Sequence, residues 1–277
     1  MKLGLISSAW LGTPVSTAEG IELTRRIGFD SIDIFADPLE TGPEERRRIR
    51  KATSENHLPV ISTVCCALGI ADFNRPVRDF HVRRAKSYLD FCYELEGENL
   101  LLVVGEYVWQ QEVIAPRDQW KWAVEHVREL AGYAEGLGLK IAVELEPFHL
   151  SLINNVDRMV QFLNDVDHPA AQANIDVSHL ALAKDAPRSI LKLRNRIAHV
   201  HLSDCDGQKH GDLPPGRGVV DFPPYLRALA DAGFDGTVSI ELEYSPEPDK
   251  IVDWVREAYT STDRLMTASG LRSAQPV

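Results

Sequence analysis

The chain has 277 residues, 44% hydrophobic and 26% charged, the make-up of an ordinary globular protein with a substantial core. With 30 Lys and Arg against 41 Asp and Glu the formal charge is −11, so the basic footprint that a phosphate backbone requires is missing and nucleic acid is disfavoured as a partner. No run approaches the ~18–20 uninterrupted apolar residues of a membrane span, the N-terminal apolar run is too short for a signal peptide, and Cys65, Cys66, Cys92 and Cys205 form no CxxC pair. The expectation is a reduced, cytoplasmic protein with no membrane partner.

Short β-like runs alternate with helical patterns from end to end. Strands are expected at Lys2–Ser7, Ser31–Phe35, Pro59–Cys65, Asn99–Val104, Lys140–Glu146, Ala173–Asp176, Ile197–Leu202 and Thr237–Glu243. Between them lie amphipathic segments. Thr17–Ile27 follows a Ser and stops at Gly28, Glu44–Asn56 is charged on one face, and Phe80–Leu95 and Pro116–Gly136 are long and periodic. Asn155–Val166, Ala186–Leu193, Pro224–Ala232 and Pro248–Leu265 complete the series. Strands alternating with helices call for a parallel sheet with right-handed crossovers. Eight such units in one uninterrupted chain are the arithmetic of an α/β protein, a single-domain (β/α)8 TIM barrel over residues 1–266. A doubly wound sheet is set aside because Ser7–Val15 carries only Gly12, not GxGxxG. Residues 267–277 are polar and expected to fray.

Chemistry in such a barrel sits where strands end. Four consecutive strands end in groups that ionise or bind metal: Val143-Glu144-Leu145-Glu146-Pro147, Ile175-Asp176-Val177-Ser178-His179, His199-Val200-His201-Leu202-Ser203-Asp204 and Ile240-Glu241-Leu242-Glu243. Each lies about one βα repeat from the next, so Glu144, Asp176, His201 and Glu241 fall on adjacent staves at similar height. A lone strand-end Glu ordinarily pairs with Lys or meets solvent. Four side by side in apolar strands are costly unless a cation is bound. Mainly oxygen donors with one imidazole suit Mn²⁺, Mg²⁺ or Co²⁺ better than a thiolate-type zinc site. His199 is read as a lower-layer hydrogen-bonding histidine, and Glu146 and Glu243 as loop anchors outside the cation's shell.

At these residues the sequence resembles the xylose isomerase-like TIM-barrel superfamily, specifically its sugar phosphate isomerase/epimerase group, which includes ketose 3-epimerases, hydroxypyruvate isomerase and inosose dehydratase. The resemblance spans nearly the whole chain as topology and runs in motif detail from Ile141 to Tyr244, through the DxxH of Asp176–His179 and the HxHxxD of His199–Asp204. It implies a divalent ion, Mn²⁺ foremost with Mg²⁺, Co²⁺ and Zn²⁺ as alternatives, held by Glu144, Asp176, His201 and Glu241. It also implies that Glu144 and Glu241 flank a small sugar as acid and base, with His179 on substrate oxygens. An ion chelating a ketone and its neighbouring hydroxyl stabilises the enediolate left when the α-proton departs. Return of the proton gives an epimerase or isomerase, and loss of a β-substituent gives a lyase, a dehydratase or eliminase of an inosose or 3-keto-glycoside. The group's 3-epimerases carry an Arg soon after the strand-7 His. Here the run is Asp204-Cys205-Asp206-Gly207-Gln208-Lys209-His210, so Lys209, His210 or Arg217 takes over substrate contact. Endonuclease IV, a more distant member, needs histidines on strands 2–4, absent here at Cys65-Cys66 and at Val104-Gly105-Glu106. A non-catalytic barrel subunit has no need of all four ligands.

Lesser features complete the reading. Pro214-Pro215-Gly216-Arg217-Gly218 reads equally as a phosphate or sugar clamp and as a stiff turn. Trp10 and Phe35 are weighed as an apolar wall, Glu106 as a substrate contact, and Cys65-Cys66 as barrel lining. Trp109, Trp120 and Trp122 suit outer-helix packing or a homo-oligomer contact, and Arg46-Arg47-Arg48 with Glu44-Glu45 a solvated face.

Overall fold

The structure is a computed structural model and describes residues 1–105, 114–243 and 245–273. Eight strands close a barrel in sequence order: β1 (Lys2–Ile6), β2 (Ser31–Ile34), β3 (Val60–Cys66), β4 (Asn99–Val103), β5 (Lys140–Val143), β6 (Ala171–Asp176), β7 (Ile197–Leu202) and β8 (Thr237–Ile240). Every neighbouring pair is parallel, β8 returning to β1 with Lys2 opposite Thr237 and Leu5 opposite Ile240. The helices are α1 (Thr17–Ile27), α2 (Pro43–Glu55), α3 (Arg75–Glu94), α4 (Pro116–Gly136), α5 (Val156–Val166), α6 (Val177–Leu182), α7 (Phe222–Asp231) and α8 (Ile251–Ala268). No described helix is long and apolar enough to cross a membrane.

Local chemistry sets the element ends. Ser16 caps α1, its hydroxyl accepting from the Glu19 N–H, and Gly28 at φ 126° closes it. Asn155 caps α5 through the Arg158 N–H. α3 begins at Arg75, five residues before the expected Phe80, because Pro76 is accommodated in its first turn. The expected helix at Ala186–Leu193 is a 3-10 stretch, Pro187–Leu193, and the α-helix of that unit is the short α6.

Side chains alternate across the barrel wall. Leu100 and Leu102 join the large cluster between sheet and helices, whereas Leu101 and Val103 join a separate one with Ile6 and Val64, flanked by half-buried Phe35 and Leu68. Towards the mouth the inner wall of β1, β3 and β4 is therefore apolar at Ile6, Val64, Leu101 and Val103, whereas β2 carries the buried Asp33. On β5–β8 the corresponding inward positions carry Glu144, Asn174, Asp176, His199 and His201, all buried. A register shift between Ala173 and Asn174 sets Asn174 opposite His199 and Asp176 opposite His201.

At the opposite end of the barrel the termini are pinned. The Met1 ammonium donates to the Leu271 carbonyl at 2.8 Å, and Arg272 pairs with Asp263 at 2.7 Å and with Asp30. α8 itself runs to Ala268. Of the tail expected to fray, residues 267–273 are thus held, and 274–277 lie outside the described residues.

Candidate functional site

Ladder pairing stops at Val143 on β5 and at Ile240 on β8, short of the expected Glu146 and Glu243. One further bond carries each chain past the end: the Glu144 N–H donates to the Leu102 carbonyl (3.0 Å) and the Glu241 N–H to that of Leu202 (3.1 Å). Both glutamates therefore keep strand-like positions at the rim of the sheet.

Asp176 ends β6 and caps α6. Its Oδ1 accepts from the Ser178 N–H (2.6 Å), the His179 N–H (3.0 Å) and the Ser178 hydroxyl (2.8 Å), while its Oδ2 is buried without a hydrogen-bond partner. One oxygen is consumed by the fold and the other is presented to the barrel mouth. Glu144 repeats the division: Oε2 accepts from the Asn174 amide at 2.5 Å, and Oε1 has no hydrogen bond and lies 3.3 Å from His179 Nδ1. His201 places Nδ1 3.3 Å from Glu241 Oε2 and Nε2 3.5 Å from Asp33 Oδ2. Ligand atoms of Asp176, His201 and Glu241 all lie within 4.8 Å of one another. The structure thus gathers three of the four expected ligands into one set, while Glu144 lies outside it, beside His179.

Burial and mutual charge shape the ionisation. Desolvation alone would raise Asp176, but His179, His210 and His201 around it hold its carboxyl well below the usual range. Burial likewise opposes charge on His179 and His201, yet the carboxylates facing them raise both well above an ordinary imidazole. Glu241 is raised by burial despite His201, with Asp212 and Asp176 adding to the rise. His179 donates from Nδ1 to the Leu145 carbonyl (2.6 Å), which leaves its buried Nε2 aimed into the site. His210 stacks beside it at 4.5 Å between ring centres and is pushed down to about 4 by burial and by the charge of His179. Two of the three expected substrate-contact residues, His179 and His210, therefore come together at the cluster.

Arg217 does not join them. Its guanidinium makes a two-pronged pair with Glu257 of α8 (2.7 and 2.6 Å) and lies 4.2 Å over the Trp254 ring, on the outer layer. The amides of its loop are also engaged. Asp204 Oδ2 accepts from Gly216 (2.8 Å) and Gly218 (2.9 Å), and Oδ1 from Cys205 (2.9 Å) and Val220 (3.1 Å). The loop's N–H groups thus enclose an internal carboxylate. Gly218 is required here, since a Cβ would meet the Cys205 carbonyl at 2.2 Å and Asp204 Oδ1 at 2.3 Å. Trp10 is also not a wall of the mouth: it is buried against Gly20, its indole donating to Thr24 Oγ1 at 3.3 Å. Phe35 does face the inner apolar cluster. Trp120 and Trp122 lie on the outer layer beneath Arg158 and Arg78. Glu106 and Trp109 fall outside the described residues.

Sequence reasoning passed over two buried acids. Asp33 on β2 accepts from His199 Nε2 at 2.8 Å with the oxygen that also faces His201. Its signal was an ionisable residue in an apolar strand, the same that marked the other four. Asp212, buried at φ 42°, sits 3.3 Å from His210 Nε2 and accepts from the Ser203 hydroxyl at 3.3 Å. Burial, with Asp176 and Glu243 nearby, raises it to about 8. In sequence it is one polar loop residue among several.

Comparison with known proteins agrees with the barrel fold. The family described as xylose isomerase-like TIM barrel matches residues 21–261. A D-psicose 3-epimerase of Ruminiclostridium cellulolyticum is 26% identical over 228 residues, covering 80% of this chain and 76% of that protein. An inosose dehydratase of Clostridium beijerinckii is 25% identical, covering 89% and 91%. Among solved structures, an IOLI protein with a bound zinc atom superposes with a TM-score of 0.85 at 21% identity, covering 99% of this chain and all of that one.

Proposed function

The chain belongs to the xylose isomerase-like TIM barrel family, and from that premise we propose that it is a divalent-metal-dependent isomerase or epimerase of a ketose or keto-sugar derivative. The observation that carries this reading is the convergence of Asp176, His201 and Glu241 within 4.8 Å, beside two buried carboxylate oxygens, Asp176 Oδ2 and Glu144 Oε1, that no hydrogen bond satisfies. A buried anionic oxygen left without a donor is costly, and a cation is the group that suits this donor set. Glu144, Asp176, His201 and Glu241 would hold it. A divalent ion there, Mn²⁺ before Mg²⁺, Co²⁺ or Zn²⁺, supplies a Lewis acid towards the carbonyl and neighbouring hydroxyl oxygens of the sugar.

The chain's own residues do the rest. Glu144 and Glu241 stand just past the ends of β5 and β8, so one removes the α-proton and the other returns it from across the site. His179, fixed through Nδ1 on the Leu145 carbonyl, offers Nε2 to a substrate oxygen, and His210 extends that edge. The apolar inner wall at Ile6, Val64, Leu101 and Phe35 covers the C–H face of the ring and excludes water. A second reading, a dehydratase or eliminase using the same proton abstraction, is favoured by the match to an inosose dehydratase over 89% of the chain.

Elemental analysis tests the site: about one divalent ion per chain is expected, lost in His201→Ala and Asp176→Asn. No ion in any sample, even after incubation with Mn²⁺, overturns the metal reading. Glu144→Gln is expected to keep the ion and lose exchange of the substrate's α-proton with solvent, followed by NMR. Unchanged exchange would remove its acid–base role.

A further inference from the structure

Removal and return of an α-proton occupy two groups, Glu144 and Glu241 in the reading above. The mouth holds a further pair that this chemistry does not use. After β7 the chain makes an excursion over residues 205–212 that is closed at its base. Asp204 and Leu213 pair there as an antiparallel bridge, the Asp204 N–H donating to the Leu213 carbonyl (2.8 Å) and the Leu213 N–H to that of Asp204 (3.0 Å). The bridge brings His210 and Asp212 back beside the end of β7. Asp212 takes φ 42°, in the left-handed region that a residue with a Cβ seldom enters. Its carboxyl is buried, with Oδ1 3.3 Å from the buried Nε2 of His210.

The pair is fixed from both sides. The Ser203 hydroxyl lies between Asp212 Oδ1 (3.3 Å) and Ser178 Oγ (3.0 Å), and the Ser178 hydroxyl donates to Asp176 Oδ1 (2.8 Å). Two hydroxyls thus tie Asp212 to the end of β6. The His179 ring backs that of His210 at 4.5 Å between centres. A ring nitrogen of His210 lies within 4.8 Å of carboxyl oxygens of both Asp212 and Glu241, and the side chain keeps 26% of its surface open. An imidazole set against a buried carboxyl, which a hydroxyl orients in turn, is the arrangement of a proton-transferring dyad. Such contacts are long before substrate tightens them, so 3.3 Å suits the empty site.

We propose that His210 and Asp212 form a proton-donating dyad that releases a β-oxygen from the keto-sugar, an assignment that rests on the sugar-converting reading above and deepens its second form. Glu241 takes the α-proton, and the electron pair of that C–H bond becomes the double bond between the α- and β-carbons. The bond from the β-carbon to oxygen breaks, and the departing hydroxyl takes a proton from His210 Nδ1 and leaves as water. Nε2 takes the proton of the Asp212 carboxyl in the same step. An unsaturated ketone remains, Glu241 is protonated and Asp212 is a carboxylate, and exchange with solvent restores both. The pair holds one proton between Oδ1 and Nε2, and the balance is the same whichever atom carries it beforehand. The α-hydrogen and β-oxygen stand on neighbouring carbons, so base and acid must be neighbours too, as Glu241 and His210 are.

Two measurements test it. The first gives the metal-loaded protein ketohexoses, an inosose and a 3-keto-glycoside, each beside its β-fluoro analogue, and follows α-proton exchange and loss of the β-group by NMR. His210→Ala is expected to lower the ratio of water loss to exchange at least about a hundredfold. Fluoride departs with little help from an acid, so its loss is expected to fall less than about tenfold. An equal fall for both leaving groups means a merely structural His210 and overturns the proposal, as does exchange by the native protein with no water loss from any of these sugars. The second needs no turnover. The ring ¹⁵N resonances of His210 are recorded with diamagnetic Mg²⁺ bound, using His210→Ala for assignment. A proton shared with Asp212 is expected to place Nε2 between the shifts of a bare and a protonated nitrogen, and Asp212→Asn to return it to one extreme. A resonance that Asp212→Asn leaves in place overturns the dyad. If the resonance moves while no sugar exchanges, the shared proton stands and the sugar-converting reading fails.

Discussion

Asp33 shares one carboxylate oxygen between two imidazoles, 2.8 Å from His199 Nε2 and 3.5 Å from His201 Nε2. Burial would raise its carboxyl, but His199 and His201 hold it well below the usual range, so it stays an anion beneath the site. That anion favours a proton on His201 Nε2, so Nδ1, which faces Glu241, is the nitrogen that would bind the proposed cation. Asp33→Asn is expected to weaken divalent-ion affinity by about 10–100-fold, read by competition with a chelator, while the circular dichroism spectrum is unchanged. Unaltered affinity would leave Asp33 with a purely structural part. Glu144, Asp176, His201 and Glu241 were legible in the sequence because an ionisable group in an apolar strand has a desolvation cost that demands a reason, and four in succession demand the same one. Asp33 carried that signal alone, without a neighbouring stave to support it.

Asp212 yields a pH prediction at the same scale. Its carboxyl is raised to about 8 by burial and by Asp176 and Glu243, whereas in the unfolded chain it releases its proton near pH 4. Between those values the folded state binds the extra proton, so the stability of the metal-free protein falls as pH rises from about 4 to about 8. Asp212→Asn removes this term. Thermal unfolding of the metal-free variant at pH 8 is expected to show a gain on the order of 3 kcal/mol that disappears below about pH 4. A gain independent of pH would mean that ionisation of Asp212 is not its cause.

Among the elements, the loop between β7 and α7 differs most from what its composition suggested. Pro and Gly at 214–218 read equally as a clamp or a stiff turn, because the partner that decides lies outside the stretch: Asp204 takes the amides and Glu257, forty residues on, takes Arg217. Long-range pairing of this kind leaves no local pattern. Strand and helix order, by contrast, follows from periodicity within each segment, and the barrel could be read from it. Asp204→Ala leaves the amides of Cys205, Gly216, Gly218 and Val220 without their acceptor in a partly buried setting, and is expected to cost about 1–3 kcal/mol with faster proteolysis at this loop. Asp204→Asn, which keeps an acceptor oxygen, is expected to cost less. A loop equally resistant in both variants would show that the capped carboxylate does not organise it.

Across the whole molecule the barrel separates the face that carries the candidate site from one that holds the closure. At the N-terminal ends of the strands, Asp30 accepts from the Leu3 N–H at 2.8 Å and pairs with Arg272, whose side chain is 6% exposed and also binds Asp263. Arg272 thereby ties the chain's end to the entry of β2 and to α8, next to the seam where β8 meets β1. A guanidinium so enclosed leaves two carboxylates unpaired when removed, a loss on the order of 2 kcal/mol after allowance for their partial exposure. Arg272→Ala is expected to lower Tm by about 4–8 °C in a chain of this size. Divalent-ion affinity is expected to stay as it is, because the ligand set sits at the other end of the strands and only the rigid sheet lies between. A fall in affinity matching the fall in Tm would instead mean that closure at the seam sets the spacing of Asp176, His201 and Glu241, and that the two faces of the barrel act as one.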